Sequence, residues 1–373
     1  MPKQGADRLI QDLLSSSGIR VNGDNPWDIT VHREEFYERV LRDGVLGLGE
    51  SYMDGWWDCP CLDQFFDRTL RSGMENTAKG DFRFVWERIK AWVFNLQSAG
   101  RAYEVGKRHY DIGNDLYRSM LDSKMVYTCG YWRNADNLDD AQAAKMDLVC
   151  RKVGIEPGMK VLDLGCGWGA FARHAAERYG ASVTGVTVSK EQVRLGRELC
   201  RGLPVDIRLQ DYRDVKGAYD RVISIGIMEH VGYKNYRTYM ELVDRTLKPD
   251  GIGFFHTIGT NESMKITNPW YAKYIFPNGQ IPSIAQIGKA MEGLFVMEDW
   301  HNFGPDYDRT LMAWHERFEK SWVNLKSRYG ENFRRMWRFY LLSSAGAFRS
   351  RNIQLWQVVM TKPGMPQPEC RLA

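Results

Sequence analysis

The chain holds 373 residues, 43% hydrophobic and 26% charged, with 51 Lys and Arg against 47 Asp and Glu for a net charge of +4. That length carries two or three domains with a substantial core, and the balance excludes collagen-like, low-complexity and wholly disordered chains. So small a basic excess gives no charge argument for nucleic acid, and no nucleic-acid partner is expected.

Seven cysteines at 59, 61, 129, 150, 166, 200 and 370 form neither a disulfide framework nor paired metal knuckles. Free thiols in a reducing cytoplasm and no metal site are expected. No run approaches the ~18 uninterrupted apolar residues of a spanning helix, and the start MPKQGADRLIQDLL lacks the basic and apolar regions of a signal peptide. The load of 13 Trp, 18 Tyr and 16 Phe fits a core, a lining for a cationic or lipidic ligand, or an interfacial surface.

In chain order, residues 1–75 read as a small α+β domain, with short helical patterns and a strand around Trp27 to Val31 broken by SSSG, NGDNP and LRDGVLGLGE. Residues 76–105 read as an amphipathic helix and linker: Phe82, Val85, Trp86, Ile89, Trp92, Val93 and Leu96 share a face, with Arg83, Arg88 and Lys90 elsewhere. Such a helix either packs on its own core or lies against lipid.

The period then becomes alternating strand and helix, and residues 106–362 read as one α/β domain. VLDLG, ASVTGVTV, YDRVISIGIM, GIGFFHTIG and IQLWQVVMT are strands; GAFARHAAERYG, SKEQVRLGRELCRG, Tyr233 to Leu247, Tyr307 to Arg328 and Glu331 to Ser350 are helices. This predicts an α/β fold with a doubly wound, mostly parallel sheet whose ligands lie beyond the carboxyl ends of the strands. The segment NESMKITNPWYAKYIFPNGQIPS after Thr260 reads as a long irregular insert of the lid or binding-loop kind, and 363–373 as a loose tail.

The sharpest local signal is Asp163-Leu-Gly165-Cys-Gly167-Trp-Gly169 between a strand and a helix. Glycines there let the backbone turn tightly and approach a ligand closely. Ala170 would also satisfy the looser dinucleotide fingerprint, but no carboxylate closes the second strand to hold a nicotinamide ribose. The pattern resembles the first motif of S-adenosylmethionine-dependent methyltransferases. In GVTVSKEQ, Ser189 caps a helix or faces a ribose; Asp211 and Tyr212 after the third strand suit an exocyclic amine and an adenine plane.

The strings HYDIGNDLYRSMLDSKMVYTCGYW, VLDLGCGWG, GVTVSKEQ, SIGIMEHVG, FFHTIG, YIFPNGQIPS, NFGPDYDRTL and FRSRNIQLWQVV resemble the cyclopropane fatty acyl phospholipid synthases, from LGESYMDGWW to Val359. The resemblance implies a seven-stranded, Rossmann-like methyltransferase sheet, S-adenosylmethionine as methyl donor, and a membrane phospholipid with unsaturated acyl chains as acceptor. It also implies a homodimer attached peripherally at the inner face of the membrane. Bicarbonate is implied as the base, within a cluster of Cys129, Glu229, His256, Tyr307 and the Ile258 backbone, where His256, Tyr307 and the Ile258 amide donate to it and it donates to Glu229. Cofactor contacts carry over to Tyr127, Thr128, Asp163, Gly165, Gly167, Thr187, Gln192, Asp211 and Tyr212. Ser344 stands where some relatives carry cysteine, which weakens a thiol mechanism. Still open are Glu229 as the direct base, a methyl-branched or methylene product, a small-molecule acceptor, and a silent lipid or S-adenosylmethionine binder.

Overall fold

The computed structural model describes residues 5–73, 113–264 and 267–372. The amphipathic helix expected within 76–105, with Arg83, Arg88 and Lys90, lies outside the described residues, as does the start of the HYDIGN string.

Strands β1 (Thr30–Val31) and β2 (Trp57–Asp58) form a short antiparallel ribbon. The main sheet has seven strands: β3 (Lys160–Leu164), β4 (Ser182–Thr187), β5 (Val205–Leu209), β6 (Tyr219–Ile225), β7 (Leu247–Thr260), β8 (Val296–Asn302) and β9 (Ile353–Thr361), in the order β5-β4-β3-β6-β7-β9-β8. The pairs β3–β4, β4–β5, β3–β6 and β6–β7 are parallel and β8–β9 antiparallel, as a doubly wound sheet requires. Strand order reverses between β3 and β6, so their carboxyl ends flank the crevice where such sheets bind ligands.

Strand residues alternate between two apolar layers. Leu162, Leu164, Val222 and Phe255 face one layer, with Tyr239, Met240 and Val243 of the helix Tyr236–Thr246. Val161, Ile223 and Phe254 face the other, with Met146, Val149 and Cys150 of the helix Leu138–Lys152 and Phe171, Ala172 and Ala175 of Ala170–Tyr179. By the same alternation Asp163 and His256 point to this second side.

The chain forms two compact units, and they do not follow the contiguous boundaries expected at 75 and 106. One gathers the described residues up to 73 with 267–277 and Tyr307–Ile353; the other gathers 113–264, Asn278–Asp306 and 354–372. About 70 residues build too little core alone, and the later segments complete it. Trp57 is buried among Phe36, Tyr52 and Phe65. Gly346, in the helix Glu331–Arg349, lets the helix Leu62–Arg71 approach so closely that a Cβ there would lie 2.6 Å from the Asp63 carbonyl oxygen.

The insert contributes to the same core. Asn268 caps a six-residue helix, Pro269–Tyr274, by accepting from the backbone N–H groups of Trp270 and Tyr271. Trp270 is fully buried, 4.5 Å from Phe339 between ring centroids and against Gly49, where a Cβ would meet its ring at 2.3 Å. The insert is therefore no irregular loop at this point, and its tryptophan faces protein. A helix Ile284–Met291, with a capping box from Ser283 and Gln286, follows. The tail is packed as well: Cys370 is buried in the layer holding Val161 and Ile252.

Truncating Trp270 to alanine leaves a cavity the size of an indole beside Gly49, a class of change that costs about 3–5 kcal/mol. A Trp270→Ala protein is expected to lose its first thermal transition at a temperature several degrees lower in differential scanning calorimetry; an unchanged transition would count against this packing.

Candidate active site

The glycine turn closes β3. Gly165 has φ +75°, and a Cβ there would lie 1.9 Å from Ile227 Cδ1, so glycine is required both by conformation and by space. Gly167 has φ +57°, but a Cβ on it would meet nothing within 4 Å, which leaves open room over the turn. The amides of Gly165 and Cys166 donate to the Val186 carbonyl, each at 3.0 Å, which ties the turn to β4. An open cradle of this kind at the switch point fits a nucleoside-bearing ligand.

Around the turn stand the other expected cofactor residues. Thr187 Oγ1 donates to Gln192 Oε1 at 2.6 Å, and Ser189 caps the next helix by accepting from the Gln192 amide. Tyr127 meets Tyr117 edge to face at 5.1 Å. Thr128 lies over the end of β6, its Cγ2 2.9 Å from where a Gly226 Cβ would sit. Asp211 and Tyr212 follow β5, with Arg213 beside both. Arg213 donates to Asp211 from its amide at 2.9 Å and its guanidinium at 2.8 Å, and its Cζ lies 4.8 Å from the Tyr212 ring centroid. Asp211 is the cap of the 3-10 turn Tyr212–Asp214, which fixes the carboxylate and the ring side by side at the end of β5.

Across the crevice, Gly226 (φ +73°) ends β6 and a single helical turn, Met228–Val231, carries Glu229. The Glu229 carboxylate accepts from the Ile258 amide through Oε1 at 2.7 Å, while Oε2 is buried without a hydrogen-bond partner. Burial pushes this carboxyl up to about 7, opposed by the Ile258 N–H, its own backbone amide and the Thr257 hydroxyl. The Ile258 amide, which the resemblance assigns to bicarbonate, donates here to Glu229 Oε1, because the strand end and the helical turn lie close together.

His256, two residues earlier on β7, is 2% exposed; Gln357 Nε2 lies 3.4 Å from its Nδ1, and its Nε2 has no partner. Burial holds its pKa well below the ordinary histidine range, so the ring is neutral. Phe303 packs on it edge to face at 5.9 Å, and Tyr131 and His301 pack on Phe303 in turn. Cys129 is fully buried, with its thiol donating to the Gly130 carbonyl. Tyr307 belongs to the other unit, where it stacks on Phe348 at 4.5 Å and meets Trp314 edge to face. In that unit Ser344 shares the Tyr271 hydroxyl with Ser343, each at 2.8 Å.

Residues 97–358 match the profile of the family described as Mycolic acid cyclopropane synthetase. The chain belongs to that family. It is 53% identical over 362 residues to the cyclopropane-fatty-acyl-phospholipid synthase of Escherichia coli K12, covering 97% of this chain and 95% of the relative. It is 31% identical to the tuberculostearic acid methyltransferase UfaA1 of Mycobacterium tuberculosis, over 98% of this chain and 90% of that one. Among solved structures, the cyclopropane synthase MmaA2 of M. tuberculosis superposes with a TM-score of 0.66 at 29% identity, over 70% of this chain and 98% of that one. The mycolic acid cyclopropane synthase CmaA1 in complex with SAH and CTAB gives 0.65 at 30%, over the same shares. The sheet is thus the methyltransferase sheet of the cyclopropane synthase family.

Three residues of this family member escaped the sequence reading. Lys145, 1% exposed, donates from Nζ to Thr128 Oγ1 at 2.8 Å. Gln142, one turn earlier, donates to the Thr128 carbonyl at 2.7 Å. Gln280 fastens the Glu229 turn: its amide donates to the Glu229 carbonyl at 2.6 Å, and its side-chain oxygen accepts from the Tyr233 amide at 2.9 Å. Gln280 lies inside the string YIFPNGQIPS, whereas Lys145 and Gln142 fall between the strings ending at Trp132 and beginning at Val161, where no motif marks them.

Asp163 is 2% exposed with Oδ2 unpartnered, and burial raises it to about 7 against the pull of Lys145. A carboxyl raised in the folded state favours folding in its protonated form, so this contribution is full below about pH 4 and is lost as pH rises to 7. Stability of the wild type relative to Asp163→Asn should fall by on the order of 2–4 kcal/mol across that window and level off above it. Urea midpoints taken from pH 4 to 8 test this; a constant gap between the two proteins contradicts it.

Proposed function

We propose that this enzyme transfers a methylene group from S-adenosylmethionine to the cis double bond of an unsaturated acyl chain in a membrane phospholipid, leaving a cyclopropane ring. The observation that carries the reading is the pair of unpartnered buried atoms, Glu229 Oε2 and His256 Nε2, at the strand ends beside the glycine turn. The full-length likeness to the E. coli synthase supports the choice of acceptor.

Bound S-adenosylmethionine supplies an electrophilic methyl group. The open cradle over Gly167 receives a ligand there, and Gly165 keeps the turn close to Ile227. Attack by an alkene leaves a carbocation, which water would trap, so the site must be dry and its walls electron-rich. Phe303, with Tyr131 and His301 around it, forms such a wall beside His256. Ring closure requires loss of one proton from the transferred methyl group. Glu229 and His256 are the residues that would hold a bicarbonate ion, which would supply the proton acceptor there. Burial raises the Glu229 carboxyl well above the ordinary glutamate range, which favours its protonated form and lets it donate to a bound anion. Cys129, whose thiol is turned onto the Gly130 carbonyl, has no nucleophilic part.

Among the described residues no helix is long and apolar enough to cross a membrane. As the resemblance implies, the proposal places the enzyme, as a homodimer, peripherally at the inner face of the membrane. The likeness to UfaA1, a protein named as a tuberculostearic acid methyltransferase, supports a second reading on the same site, in which the transferred methyl group stays on the chain and no ring forms.

Incubation with S-adenosylmethionine and vesicles of cis-monounsaturated phospholipid is expected to add one CH₂ to the acyl chain by mass spectrometry and to give ring protons by NMR. Glu229→Gln should lower kcat by on the order of 10²–10⁴ and leave S-adenosylhomocysteine affinity within about threefold. The same added mass with a branched or exocyclic signal would replace the ring-forming reading; no added mass, or near-normal turnover of Glu229→Gln, would refute the assigned chemistry.

A further inference from the structure

The Leu121–Cys129 segment, which runs over the crevice, is fastened at both ends by side chains that burial makes costly. At the first end Asp122, 3% exposed, accepts from the amides of Lys124 at 3.1 Å and Val126 at 2.7 Å. Between them Met125 takes φ +63°, a conformation a non-glycine residue holds only when its surroundings enforce it. At the other end Lys145 Nζ donates to Thr128 Oγ1, and Gln142 donates to the Thr128 carbonyl. Both come from one face of the helix Leu138–Lys152, three residues apart.

A lysine does not occupy the interior of a domain for stability. Its ammonium loses hydration, and an apolar residue of the same length would be as good or better for the fold. Here burial lowers its pKa to about 8, with the charges of Asp122, Cys129 and Asp163 acting the other way. The groups its charge reaches come from four elements: Asp122 and Cys129 at the two ends of the fastened segment, Asp163 on β3, His256 on β7 and His174 on the helix Ala170–Tyr179. Lys145 therefore lies on the same side of the sheet as Asp163 and His256. Thr128, its hydrogen-bond partner, packs on Gly226 at the end of β6.

We propose that Lys145 is a positioning residue of the methyl transfer, which acts through the Thr128 hydroxyl to hold the Tyr127–Cys129 segment over the crevice in the form that receives S-adenosylmethionine. The inference rests on the cofactor reading given above. It predicts that losing the ammonium costs cofactor binding while leaving the fold intact, because a methionine at the same position removes a buried charge and keeps most of the volume.

The test is a double-mutant cycle on the full chain with Lys145→Met, Thr128→Val and the double variant. S-adenosylhomocysteine binding is read by calorimetry, KM for S-adenosylmethionine and kcat from initial rates, and folding from the thermal midpoint. Binding of S-adenosylhomocysteine by the wild type tests the cofactor reading separately, and its absence would overturn that reading and this one together.

With the wild type binding, Lys145→Met is expected to raise Kd and KM by on the order of 10- to 100-fold, the loss of one hydrogen bond to a charged group. Its kcat should stay within about threefold. In the Thr128→Val background the same change should have little further effect, since the partner is already gone. Unchanged Kd in Lys145→Met with an altered thermal midpoint would make Lys145 purely structural and overturn the proposal. Losses that add in the double variant would show that Lys145 does not act through Thr128. If Lys145→Met fails to fold, Lys145→Leu takes its place: wild-type Kd in that variant overturns the proposal, and a loss of on the order of tenfold or more that has little further effect in the Thr128→Val background supports it.

Discussion

The bond between the Ile258 amide and Glu229 Oε1, 2.7 Å long, is the contact on which the site depends. It joins the carboxyl end of β7 to the single helical turn after β6, and so fixes a carboxyl where neither strand end alone would. One oxygen is satisfied by the Ile258 amide and the other is buried, with the neighbouring Thr257 hydroxyl as polar support for the carboxyl. Folding tolerates a carboxyl so buried at a real cost, and the cost is lowered by keeping the group protonated, which is the sense of its raised pKa. Gln280 holds the turn from the other side through the Glu229 carbonyl and the Tyr233 amide, so the carboxyl has little freedom to retreat into solvent.

The same constraint recurs along one side of the sheet. Asp163 carries an unpartnered oxygen, His256 an unpartnered nitrogen, and Lys145 a buried ammonium with a single neutral acceptor at Thr128. Each is a polar group placed where apolar packing would serve stability better. Their concentration at the carboxyl ends of β3, β6 and β7, beside a glycine cradle with open space over Gly167, marks a site built for a ligand that carries charge and for chemistry that water must not reach.

Much of this was legible in the sequence, for a physical reason. Residues adjacent to a strand end are placed by the strand, so the Asp163, Gly165 and Gly167 turn could be read from local pattern, as could the helices Pro305–Leu325 and Glu331–Arg349 from their period, whereas Glu229 and His256, which read locally as a helix cap and a core histidine, are singled out only by the family resemblance. Long-range contacts could not. The Glu229–Ile258 bond spans 29 residues, and nothing local announces it. Lys145 sits among Asp139, Asp140 and Lys152, where no motif marks it, and only tertiary packing buries it. Asn268-Pro269 reads as a breaker, yet with apolar surface beneath it becomes a cap and a first helical residue. The division into units follows the same rule, since the core around Trp57 and Trp270 is completed by segments more than two hundred residues apart in sequence.

The central claim is that Glu229 is a buried carboxyl poised near neutrality rather than an ordinary surface glutamate. Carbon-13 NMR of protein labelled at glutamate Cδ, titrated from pH 4 to 9 and assigned with Glu229→Gln, measures this directly. The account predicts one glutamate resonance that titrates with a midpoint near 7 and disappears in the variant. A Glu229 midpoint near the ordinary glutamate value of about 4.3 would contradict it.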